Sequence, residues 1–159
     1  MRQLLGCLVV LPLFACPGPM RTITPDDVVA RGDCPAVMGA GTQHTANITA
    51  DETWTAATSP HVVSSLRVEA NLTIEACAVV VLKKDAVLEV GNSSASGKTG
   101  KITATGTFDG TKLLPVVFRS ENAGERWVSL FVQLTGSLDF AYTALSSGGS
   151  RNANSTNAA

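Results

Sequence analysis

The sequence predicts an all-β fold, and three observations carry the prediction. Apolar residues recur at every second position in short runs, as in Leu66 and Val68, Leu72 and Ile74, Ile102 and Ala104, and Val116 and Phe118. That is the spacing of a strand with one buried face. Gly, Asn, Asp and Ser, the residues that turn a chain, stand between the runs, and no segment from Ile48 onward has a helical period. Aromatic residues make up only 5% of the chain while Val, Ala, Thr, Ser and Gly abound, a mixture that fits stacked strands better than a helical bundle.

At the start of the chain, a positive Met1-Arg2 precedes the apolar run Leu4 to Phe14 and the small Ala15. This is the layout of a secretory signal, too short for a bilayer that takes about 20 helical residues to span. Residues 1–15 are therefore expected to form a signal peptide. Leu13-Phe14-Ala15-Cys16 resembles the lipobox of bacterial lipoproteins, with an aliphatic residue three places before the cysteine and a small one directly before it. Phe14 departs from the pattern, which usually has a small or β-branched residue there. The resemblance implies that Cys16 becomes the lipidated N-terminus, with a membrane as its partner. The location implied is the bacterial cell envelope, at the outer membrane or cell surface, since Pro17 rather than an aspartate follows the cysteine. Three acyl chains hold lastingly, because each buried methylene contributes roughly 0.8 kcal/mol. An ordinary cleavable signal followed by a chance cysteine is the other reading. Leu5-Gly6-Cys7 repeats the small-then-cysteine pattern too early to serve, so Cys7 leaves with the peptide.

Cys34 and Cys77 then remain as an even pair in an oxidising compartment. A disulfide between them is expected, with about 4 kcal/mol of stabilisation on the chain-entropy model. Two buried thiols are the alternative.

Residues 16–47 read as a tether and entry segment, for Pro17, Gly18, Pro19, Pro25, Gly32, Pro35, Gly39 and Gly41 interrupt any regular structure. Within it, Asp26 to Arg31 predict one helical turn capped by Thr24, with Pro25 in its first position and no tertiary support. Strands are expected at His61 to Val63, Leu66 to Val68, Leu72 to Ile74, Val79 to Leu82 and Val87 to Val90. Further strands are expected at Lys101 to Ala104, Val116 to Arg119, Val128 to Val132 and Ser137 to Tyr142. Asn92 to Gly100 reads as an inserted loop and Asp109-Gly110 as a turn. Residues 150–159, with no aliphatic side chain beyond alanine, are expected to be a disordered polar tail.

Strands this short fit either an antiparallel β-sandwich or a solenoid in which each coil contributes two or three strands. The series Leu72-Thr73-Ile74-Glu75, Val79 to Leu82, Ala86 to Gly91, Gly100 to Thr107 and Pro115 to Ser120 resembles the repeating coils of bacterial right-handed parallel β-helix, pectin-lyase-like proteins. Trp127 to Val132 and Gly136 to Tyr142 extend the likeness. It implies that residues 48–149 form a short parallel β-helix of a few coils, each covering the apolar side chains of its neighbour. Val128-Ser129 after the tryptophan, where family members usually place glycines, departs from the pattern. The sandwich stands as the alternative.

Charge names no partner. With 12 basic and 13 acidic side chains, a net charge of -1 and no run of either sign, the chain lacks a nucleic-acid footprint. Neither a catalytic centre nor a cofactor or metal site is expected. There is no Cys-x-x-Cys, and neither His44 nor His61 has Cys, Asp or Glu at ligand or triad spacing. Asp51-Glu52 reads as a solvated turn, and Trp54 and Trp127 as core or capping residues. The polysaccharide-cleaving members of the β-helix family that the chain resembles cluster aspartates on one sheet. The nearest approach in this chain is Asp139 with Arg119 beside Trp127, which would make a weak glycan contact, while strand alternation points Asp139 away from Leu138 and Phe140. The expected function is a lipid-anchored envelope protein displaying a non-catalytic surface or binding module toward a glycan or another envelope protein. The alternative is a carbohydrate-active enzyme, a polysaccharide lyase or hydrolase, or a truncated remnant of one.

Overall fold

In the computed structural model, which describes residues 21–149, the chain enters through a one-turn helix, α1 (Pro25–Val29). The signal peptide at 1–15, Cys16 and the tail at 150–159 lie outside the described residues. The Thr24 hydroxyl accepts a hydrogen bond from the Asp27 backbone N–H at 3.3 Å, and the Asp27 carboxylate accepts the Thr24 N–H at 2.8 Å. This reciprocal cap, with Pro25 at the first helical position, starts the helix.

The remainder is all-β. The strands are β1 (Thr42–His44), β2 (Glu52–Trp54), β3 (His61–Val63), β4 (Leu66–Val68), β5 (Asn71–Ile74), β6 (Val79–Leu82) and β7 (Val87–Val90). They continue as β8 (Gly100–Thr105), β9 (Thr107–Phe108), β10 (Leu113–Leu114), β11 (Val116–Ser120), β12 (Ser129–Val132), β13 (Gly136–Ala141) and β14 (Thr143–Leu145). Three parallel sheets collect them: β1-β3-β6-β11-β14, β4-β7-β12 and β2-β5-β8-β13, with β9 and β10 forming a small antiparallel hairpin. From β3 to β8 the chain visits the first, second and third sheet in turn, and after the hairpin it repeats that order in β11, β12 and β13. Hydrogen bonds between successive circuits join residues 20 apart at Asn47–Arg67, Asp51–Asn71 and Ser59–Val79.

Register turns this order into a core. Ile48, Val68, Val90 and Val132 stand in one column, Trp54, Ile74, Ala104 and Phe140 in another, and His61, Val80, Phe118 and Leu145 in a third. Most of these side chains point into one apolar interior. Burial of such aliphatic columns, at roughly 25 cal/mol per Å² of apolar surface, is the dominant stabilising term. At the corner between the second and third sheets, Gly100 and Gly136 are register partners. A Cβ at either would collide with a backbone carbonyl, of Val68 and of Val90 respectively. Successive circuits therefore approach closely at that corner only because both residues are glycine.

The outward face of the first sheet is also apolar. Val62, Val79 and Val81 are buried there beneath Val37. The entry segment supplies this cover and is pinned in place: Cys34 is disulfide-bonded to Cys77, and the Asp33 carboxylate accepts the Leu113 N–H at 2.7 Å. Three expectations change accordingly. Regular pairing begins at β1, inside the segment read as a tether, and not at residue 48. α1 packs against β10, β11 and β14 where no support was expected. Strands β1, β2, β9, β10 and β14 went unpredicted, and the predicted ones shift by a residue at some ends.

Candidate functional site

The outward faces of the second and third sheets carry the polar chemistry. On the second sheet, Arg67, Glu89 and Phe131 are register partners in one outward row. The Arg67 guanidinium reaches Glu89 Oε2 through Nε at 2.8 Å and Nη2 at 2.6 Å, and it lies 3.9 Å from Glu69 Oε1. The Arg67 backbone N–H donates to Asn47 Oδ1 at 2.9 Å. Asn47, Ser65, Arg67 and Glu89 line a shallow groove, and Phe131, 52% exposed, continues the row beyond Glu89. On the third sheet Asp51 accepts both the backbone and side-chain N–H groups of Asn71, which holds its carboxyl below the usual range. Lys101 lies 3.6 Å from Asp139.

The glycan contact expected at Trp127, Arg119 and Asp139 is not assembled as one cleft. Trp127 is buried, its indole N–H donating to the Ser146 carbonyl at 2.8 Å, so its faces serve the core. Arg119 extends from the first sheet and bonds the Ser120 carbonyl, while Asp139 points outward from the third sheet to Lys101. The sequence places the three residues close together, but β11 and β13 belong to different faces of the molecule. Alternation is as expected at Asp139: Leu138 registers with the buried Ile102 and Asp139 with the outward Thr103.

One arrangement was not anticipated. His44 Nε2 lies 3.0 Å from His61 Nδ1, and His61 Nε2 lies 3.0 Å from the Thr55 carbonyl oxygen. A carbonyl can only accept, so His61 carries its proton on Nε2 and accepts at Nδ1 from His44 Nε2–H. Trp54 stacks on His61 with ring centroids 4.9 Å apart and lies 4.1 Å from His44, and its indole N–H donates to Glu52 Oε2 at 3.0 Å. Burial holds both imidazoles below their ordinary pKa, opposed at each by Glu52, at His61 also by its bond to Thr55, and reinforced at His44 by its neighbour. Neutral rings stacked in this way close the end of the core. The only sequence signal was positional: His44 and His61 each stand near Trp54, and the parallel register brings all three together.

Among the described residues, no three or more His, Cys, Asp and Glu converge as a metal site. No helix among them is long and apolar enough to cross a membrane. Comparison of the chain with family models, with curated proteins and with solved structures finds no match.

Proposed function

We propose that this chain is a lipid-anchored protein of the bacterial cell envelope, displaying a short right-handed parallel β-helix as a non-catalytic binding module. The observation that carries the reading is the order in which the three parallel sheets are visited, with successive circuits bonded 20 residues apart in the first half of the domain. Each circuit covers the apolar side chains of the one before it, which is the logic of a solenoid. The right hand follows from the general preference of parallel crossover connections. Among the described residues, antiparallel pairing is confined to the β9–β10 hairpin.

A binding role follows from what the outward faces carry. Arg67, Glu69 and Glu89 answer one another's charge, and Phe131 lies exposed in the same row. An exposed ring beside fixed hydrogen-bonding groups suits the apolar face and hydroxyl edge of a sugar. Among the described residues, Glu69 and Glu89 are both held by Arg67, Asp139 by Lys101 and Asp51 by Asn71, so these carboxylates serve as pairing partners and not as an acid–base pair. The lipid anchor rests on Leu13, Ala15 and Cys16.

Two measurements test the proposal. Metabolic labelling with a fatty acid should mark the wild type, and label persisting after Cys16→Ser would remove the assignment to that thiol. Purified protein incubated with an acidic polysaccharide should retain it in co-sedimentation, less so after Phe131→Ala, while generating neither unsaturated products nor new reducing ends. Product formation would move the chain to the carbohydrate-active enzymes.

A further inference from the structure

The inward columns of all three sheets pass from buried to exposed at their last strand. Phe118, Ile102 and Val90 are buried, and their register partners Leu145, Leu138 and Val132 are 44, 37 and 41% exposed. Leu134, in the turn between β12 and β13, is 71% exposed. α1 extends the same surface, because Pro25, Val28 and Val29 line an apolar groove with Tyr142 and Leu145, and Val29 is itself exposed. Exposed apolar side chains gathered on the last strands and on α1 mark a place where something else binds.

What binds follows from where the chain leads out of α1. Arg21 is held against α1 and the segment that follows it, its guanidinium 2.8 Å from Asp33 and 3.4 Å from Asp27. Cys16 precedes Arg21 by five residues, so at full extension it reaches no more than about 17 Å from it. An acylated Cys16 would therefore hold the bilayer surface close to the α1–β14 side of the domain, where the uncovered residues lie. We propose that this end of the domain, comprising Val29, Val132, Leu134, Leu138, Tyr142 and Leu145, rests on the lipid bilayer and orients the binding module on the membrane. The inference rests on the reading of Cys16 as acylated.

The chemistry sets the depth. Strands β12, β13 and β14 are edge strands whose free N–H and C=O groups need water or headgroup partners, so the contact lies at the headgroup boundary and not in the hydrocarbon. Tyr142, apolar in its ring and polar at its hydroxyl, suits that boundary. The same elements carry Asp26, Asp27 and Asp139 and no basic cluster, so the contact forms by burial and not by attraction to anionic lipid.

The test uses the full acylated protein in vesicles of phosphatidylethanolamine and phosphatidylglycerol, with nitroxide labels at Leu134→Cys, Leu145→Cys and, on the outward row of the third sheet, Thr73→Cys. Collision with oxygen relative to a water-soluble nickel chelate should rise several-fold at 134 and 145 over 73, and high salt should not reverse it. Equal, water-like ratios at all three sites, with fatty-acid label still on Cys16, would overturn the docking and leave the anchor standing. Absence of that label would overturn the anchor and this orientation with it. Dipolar broadening between labels at 134 on different molecules would assign the surface to a second copy of the chain instead. Leu134 is so exposed that its replacement leaves folding intact, and the Leu134 label alone decides the matter if the Leu145 variant fails to fold.

Discussion

At the N-terminal end of the stacked strands, the inward positions of the first circuit hold Thr42, His44, Glu52 and Trp54, whereas the last circuit fills the corresponding positions with Leu145, Leu138 and Phe140. The first set ends the core. Glu52 accepts the Trp54 indole N–H, His44 donates to His61, and His61 donates to the Thr55 carbonyl, so the polar groups of this end are answered within the lid. Trp54 itself is buried, and its ring covers the column beneath it. The second set leaves its column open. A stack of parallel strands can stop in water only if its last layer is polar on the outside and satisfied within, and among the described residues one end meets that condition while the other does not.

The largest test of this contrast is a pair of truncations. Trp54→Ala should cost about 3–5 kcal/mol, since it empties the lid of a closed core. Leu138→Ala, in the third sheet at the opposite end, should cost about 1 kcal/mol or less because its site is partly in water. Urea midpoints measure both, and equal losses would erase the difference between the ends. Next comes the seam that holds the entry segment over Val62, Val79 and Val81. Cys34→Ser with Cys77→Ser should cost about 2–4 kcal/mol, the range for opening a loop of 43 residues. An unchanged urea midpoint would mean that packing of Val37 and the Asp33–Leu113 bond alone keep the segment down.

The same contrast explains what the sequence could disclose. Strands β3 to β8 and β11 to β13 were legible because apolar residues alternate where a strand has covered neighbours, as in Leu72-Thr73-Ile74. β1 and β2 escaped because three of their four inward positions, Thr42, His44 and Glu52, are polar where the stack ends, with Trp54 alone buried among them, so alternation of hydropathy fails there for a physical reason. α1 was read from its cap, but its support was not, since β14 lies more than a hundred residues further along the chain. The histidine pair was invisible for the same reason. His44 and His61 are joined by the register of β1 on β3, which no local pattern encodes. The disulfide was within reach because it needs only a count of cysteines and a compartment.

A smaller effect concerns the lid alone. The folded protein holds both imidazoles below the usual histidine pKa of 6.5. The unfolded chain therefore binds more protons than the native state as the pH falls through that range. The stabilisation is complete above about pH 6.5 and declines as the pH falls below it toward the folded values. Unfolding midpoints should thus drop on acidification from about pH 7 to 5. The decline should be shallower in His61→Gln, where an amide can replace the donor to Thr55 without titrating. An identical slope in that variant would place the acid sensitivity among the carboxylates instead.

The smallest predicted change in stability is the one that separates the two ends most cleanly. Leu145→Thr at the open end replaces a half-exposed side chain by one of high strand propensity. In water, with nothing docked on that end, it should alter the unfolding free energy by no more than about 0.5 kcal/mol. A large loss would mean that Leu145 is already covered in the isolated protein, by another copy or by chain outside residues 21–149. A null result would show that the apolar character of the exposed column does little for the stability of the isolated fold, as expected if Val132, Leu138 and Leu145 meet a surface elsewhere. The closed end carries the complementary control. Thr42 already occupies the column that Leu145 ends, and Thr42→Leu should leave stability within the same limits while adding apolar surface where the fold has none to hide.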